Sequence, residues 1–103
     1  MARMQFGVML RGTFGQEDDM QARFAELMEQ CRLIDKMGYD CITHGSHYSA
    51  YPLQKFQQLQ FLCRAMAEAP SVRLNAGIVL LSLQKPLDIA EQFATMDVMS
   101  GGR

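Results

Sequence analysis

The stretch from Leu74 to Arg103, LNAGIVLLSLQKPLDIAEQFATMDVMSGGR, decides the fold. With Val72 and Arg73 before it, its first part is apolar and β-branched, which predicts a strand over Val72 to Leu81. Ser82 to Lys85 reads as a short crossing. Pro86 suits the first turn of a helix, where its missing N–H would have had no intrahelical partner. Gly101 is placed to end that helix in the left-handed conformation. A strand, a crossing and a capped helix make one unit of a parallel sheet, and such a unit normally runs on into another strand. The chain stops where that strand is expected, near Gly101-Gly102-Arg103, so the sequence predicts a partial domain over residues 1–103.

Two similar units lie upstream. Met4 to Leu10 (MQFGVML) is apolar at nearly every position and predicts a first strand covered on both faces. The acids of Thr13 to Asp19 suit the positive end of a helix starting at Asp18 or Asp19. Met20, Phe24, Leu27, Met28, Cys31 and Ile34 then recur at helical spacing, with Gly38 as the terminating cap. Tyr39 to Thr43 predicts a second strand, and the polar, aperiodic His44 to Pro52 a loop leaving it. A second helix is expected from about Leu53, with Phe56, Leu59, Cys63 and Met66 on its apolar side, ending at Ala69-Pro70. The order βαβαβα defines an α/β fold with parallel strands. Periodicity alone fits either the start of a closed (β/α)8 barrel or an open doubly wound sheet.

Composition narrows the function. A formal net charge of -1, with no run of Lys or Arg among aromatics, offers nothing to track a phosphate backbone, so no nucleic-acid partner is expected. No segment approaches the ~20 apolar residues of a membrane span. The three cysteines, Cys31, Cys41 and Cys63, form no CxxC pair and fall in apolar-periodic segments, which points to reduced thiols and a cytoplasmic setting. The nine methionines fall mostly on helical stripes or in strands and read as adaptable core filler.

In either architecture ligands bind beyond the carboxyl ends of the strands. Three segments qualify: Arg11 to Phe14, His44 to Tyr51 and Leu80 to Lys85. Gly45-Ser46-His47-Tyr48 joins a flexible backbone, a hydroxyl, a side chain that titrates near neutrality and an aromatic surface. His47 is the candidate there, against the plainer alternative of a loop histidine satisfied by a backbone carbonyl. His44, at the strand end, reads as structural. No acid or cysteine stands at ligand spacing from the two histidines, so no metal site is expected. Arg11 is placed either to meet an anionic ligand or to sit solvated in its loop. Ala76-Gly77, inside a strong strand pattern, marks either a close approach by a ligand or close packing of the sheet.

Taken together, these residues resemble the luciferase-like monooxygenases, flavin- or F420-dependent enzymes built on a (β/α)8 TIM barrel. The resemblance rests on Gly77-Ile78-Val79-Leu80-Leu81, Lys85-Pro86-Leu87, Ala90-Glu91-Gln92 and Met96 to Arg103, with Met4 to Val8 and Lys36 to Asp40 in support. It covers essentially the whole chain as that family's N-terminal portion. It implies FMN or coenzyme F420 as cofactor and a small-molecule substrate. It makes His47 the polar group near the reactive edge of the cofactor ring. Ser46 stands where the family usually has an acid or a second histidine, a departure from the pattern that supports acid-assisted proton transfer. The resemblance also implies a non-proline cis peptide at about Ala76-Gly77, flanked by Asn75 and Ile78, supporting the ring. These residues alone are expected to hold a flavin poorly. The alternative from another class is a non-catalytic interaction piece that forms homo-oligomers through exposed sheet edges.

Overall fold

A computed structural model describes residues 2–103. Three strands, β1 (Gly7–Leu10), β3 (Cys41–His44) and β5 (Arg73–Ala76), form a parallel sheet in the order β1-β3-β5. Three helices follow them in turn: α1 (Met20–Lys36), α2 (Gln58–Glu68) and α3 (Pro86–Ser100). Two short segments, β2 (Thr13–Phe14) and β4 (Gln54–Lys55), pair antiparallel beside the sheet. The strand order follows the chain order and does not reverse around β1, as a doubly wound sheet would require. Sequential parallel strands with a helix after each are the wall of a (β/α)8 barrel.

Apart from the start of α2, the helix ends form where the sequence signals them. The Asp19 carboxylate accepts from the backbone N–H groups of Gln21 and Ala22, at 2.9 and 3.4 Å, and so satisfies two donors that have no intrahelical partner. Gly38 (φ 79°) and Gly101 (φ 68°) take the left-handed conformation beyond α1 and α3. Ala69, before Pro70, caps α2.

Helices cover one face of the sheet. Along β1 and β3, Leu10, Ile42 and His44 are buried, and with Leu27, Met28, Cys31, Ile34, Phe61, Ala65, Ala69 and Val72 they fill the space between sheet and helices. Burial pushes the Cys31 thiol up to about 11, so it stays protonated. Met9 and Asn75, on the other face, are exposed. The expectation that the first strand is covered on both sides is therefore corrected: its side chains alternate, as the two-residue period of a strand demands.

Further boundaries differ: the first strand begins at Gly7, not Met4, and the second runs over Cys41–His44, not Tyr39 to Thr43. The third strand ends at Ala76, not Leu81, because the chain leaves the sheet at Gly77 and turns through a short 3-10 segment, Leu81–Leu83. The second helix begins at Gln58, not near Leu53. Phe56, with the right spacing for a helix face, instead packs edge-on against Phe14 and Phe24. Gln54 donates to the Gly15 carbonyl at 2.7 Å and so ties the same segment to β2.

The third unit is clasped to the second at its base. The Arg103 guanidinium donates to the carbonyls of Ala69, Val72 and Met66 at 2.8, 3.0 and 3.2 Å. The Arg103 carbonyl accepts from the Leu74 N–H at 2.9 Å, which seats it beside β5.

Candidate active site

Register brings the chemistry together. Leu10, His44 and Ala76 stand side by side in the last row of the sheet, so Arg11, Gly45 and Gly77 leave it side by side. All three line a cavity of about 620 Å³, within the size of small-molecule sites. Ser46 and His47 line it from the loop after β3, Ile78 and Leu80 from the segment after β5, and Met9, Thr13 and Lys55 from the other side. A second cleft, between α2 and α3, carries none of these groups and lies away from the strand ends.

Of the residues the sequence singles out, the cavity unites Ser46, His47, Gly77 and Ile78. Asn75 and Ala76 do not line it. The Asn75 amide donates to Thr43 Oγ1 at 3.1 Å, and Ala76 packs on the helix side against the cluster of Leu62, Met66 and Met96. The non-proline cis bond lies at Gly77–Ile78, one residue beyond the expected place. A Cβ added to Gly77 would come within 2.9 Å of Thr43 Cγ2. Close packing against the sheet therefore requires this glycine, even though its backbone borders the cavity.

The two histidines have opposite surroundings. His44 is fully buried and stacks on Phe61 with 4.0 Å between ring centroids. Its Nδ1 lies 2.8 Å from the Leu10 carbonyl and its Nε2 3.4 Å from that of Phe56. A neutral imidazole has one N–H, and the shorter contact assigns it to Nδ1. Burial, helped by the charge of Lys55, holds the ring below its ordinary pKa against the pull of the two carbonyls. His44 is structural, as its place at the strand end indicates. His47 is exposed and borders the cavity.

Two residues escape sequence reasoning. Lys55, assigned there to the second helix, is half-buried at the cavity edge, where its ammonium donates to the Arg11 carbonyl. Burial lowers its pKa. Gln58, absent from the apolar side expected of the second helix, is buried, and its Nε2 donates to the carbonyls of His44 (2.8 Å) and Ile78 (3.1 Å). The Gly77 N–H also donates to the His44 carbonyl, at 3.0 Å. Gln58 thus fixes the spacing between the two segments that carry His47 and Ile78. No sequence period could mark Lys55, because two-residue strands are too short to show one.

A parallel sheet in sequential order, with its cavity at the strand carboxyl ends, is the arrangement of a barrel enzyme. Residues 4–103 match the family profile described as luciferase-like monooxygenase, and the chain belongs to that family. Among solved structures it resembles monooxygenase RslO1 from Streptomyces bottropensis, with a TM-score of 0.84 and 31% identity over 97% of this chain and 31% of that one. The FMN complex of the oxygenating constituent of 3,6-diketocamphane monooxygenase from Pseudomonas putida superposes with a TM-score of 0.84 at 15% identity, covering 97% of this chain and 28% of that one. The coenzyme F420-dependent tetrahydromethanopterin reductase of Methanopyrus kandleri gives 0.76 at 22%, covering 99% and 26%. At such identities the last two show the shared fold alone. The chain spans 28% and 30% of the length of two curated relatives that it matches.

Proposed function

We propose that residues 1–103 form part of the barrel domain of a flavin- or F420-dependent oxidoreductase, with His47 as the proton-handling group of its active site. The observation that carries this reading is the convergence of His47, Ser46, Gly77 and Ile78 on one cavity at the strand carboxyl ends. The residues fit a flat conjugated ring. Met9, Ile78 and Leu80 supply apolar wall, and Gly77 brings backbone to the surface without a side chain in the way. Ile78, Gly77 and Ser46 would hold the ring, and FMN or F420, when bound, would supply hydride transfer or oxygen activation. His47 would hold or move a proton at an imidazole nitrogen, and Ser46, in place of an acid, offers a hydroxyl to orient substrate or ring. Among the described residues no helix is long and apolar enough to cross a membrane.

The test is a titration of the protein expressed from its full coding sequence with FMN and with F420 at micromolar concentration, followed by flavin fluorescence. Saturable binding of one of them is expected. Binding of neither overturns the reading.

A second reading rests on the sheet edges. β1 lies at one edge of the sheet, and Met4, Phe6 and Met9 near it are exposed, a template for pairing with another chain. On that reading the chain forms homo-oligomers. A stable monomer by light scattering removes it.

A further inference from the structure

We propose that the Arg11–Lys55 edge of the cavity is an oxyanion subsite, built to take an apolar organic ligand through a single carboxylate, phenolate, enolate or phosphate group. The inference shares its cavity with the oxidoreductase reading and deepens it.

Two cations reach this edge from separate elements. Arg11 is the first residue beyond β1, and Lys55 ends β4. Pairing of Thr13 with Lys55 across β2 and β4 holds the lysine over the end of β1, and the ammonium is tied to the backbone of Arg11 itself. Every other polar side chain lining the cavity is a hydroxyl or an imidazole: Thr13, Ser46 and His47. Among the described residues no carboxylate lines it.

That absence is local. The chain has 11 acids against 10 basic residues, and elsewhere acids are set against arginines: Arg3 on Asp40, Arg23 on Asp18 and Glu26, Arg32 on Glu29 and Glu68, Arg64 on Glu68. Neither Arg11 nor Lys55 forms an ion pair among the described residues. A half-buried ammonium without a counter-charge is costly to keep, and burial already lowers the Lys55 pKa. An anion arriving from outside would relieve that cost. The opposite wall, Met9, Ile78 and Leu80, is apolar, so the anion that fits is one attached to an apolar body, not a free ion in water.

The experiment uses the protein expressed from its full coding sequence, with 1-naphthoate and its neutral isostere 1-naphthamide as probes, and FMN and riboflavin as reporters of the cofactor. Naphthoate is expected to bind about tenfold more tightly than naphthamide, the worth of one charge-assisted contact. Lys55→Met should erase that preference and Lys55→Arg should keep it. Arg11→Met, at an exposed position with no packing to lose, gives an independent arm and should weaken naphthoate alone. If Lys55→Met also costs FMN affinity while sparing riboflavin, the oxyanion is the cofactor's phosphate; if both flavins bind unchanged, it belongs to the substrate. Equal binding of naphthoate and naphthamide overturns the proposal, as does a preference that survives both Met variants. Failure of FMN and of F420 alike to bind sinks the oxidoreductase reading but leaves the naphthoate comparison intact.

Discussion

On the helix side of β3, Ile42 and His44 have no exposed surface, whereas Thr43 on the opposite side and His47 beyond the strand end keep theirs. The inner pair are held by contacts on every side, down to the Nδ1–H of His44 on the Leu10 carbonyl. Outside, Thr43 accepts a hydrogen bond from the Asn75 amide, and the loop that carries His47 is anchored at its start by Gln58, which donates to the His44 carbonyl. One strand thus splits its duties by alternation: odd and even positions answer to different selective demands. Substitutions inside should be read in stability, and those outside in binding and turnover.

The sharpest way to break this division is Phe61→Ala. Phe61 underlies the His44 ring and is 2% exposed. Its truncation should cost about 3–5 kcal/mol in urea unfolding, the range for a buried aromatic. A loss under ~1 kcal/mol would mean that the helix side is not a packed core. Next in size, His47→Ala should slow turnover of the protein from its full coding sequence about 100-fold, the lower end for a group handling a proton. Its urea midpoint should stay where it was. An unchanged rate with a shifted midpoint would reverse the roles assigned to the two histidines.

The smallest effect lies in pH. The folded-state pKa of His44 lies below 6.5, so its contribution to stability is complete above pH 6.5 and is lost as pH falls from 6.5 through the folded value. His44→Gln should flatten that limb. What remains is the loss at lower pH from Asp18, Asp40 and Glu68. Hydrogen bonds from Arg23, the Phe6 N–H and Arg32, respectively, lower their pKa values most, so their contributions also fade on acidification. Melting temperature against pH for the two proteins checks this; parallel curves would show that His44 is not buried neutral.

Much of this architecture can be read from the residues. Asp19, Gly38, Pro70, Pro86 and Gly101 each act within a few residues of where they stand, through a cap, a missing N–H or a left-handed turn, so the five helix ends they mark were legible, while the start of α2 was not. The place of His47 beside the cavity was legible because loops after parallel strands leave the sheet at its carboxyl end. What could not be read depends on partners far along the chain. Lys55 reaches the cavity only through the pairing of two dipeptides, and Phe56 leaves a helical pattern because Phe14 and Phe24 receive it. Ala76, beside Gly77, is turned to the helix side by the strand's own pleat, and Asn75, on the other face with Met9, spends its amide on Thr43.

Arg103 has a consequence for how the molecule comes apart. Moving the third unit off the second means breaking the hydrogen bonds from the Arg103 guanidinium to the Met66 and Ala69 carbonyls at the end of α2, with its bond to Val72 in the connection between the units. The last turn of α2 is therefore finished by a residue from the next unit, and fraying at the end of α3 would be felt at α2. Neighbouring units joined in this way melt as one cooperative body, not as separable repeats.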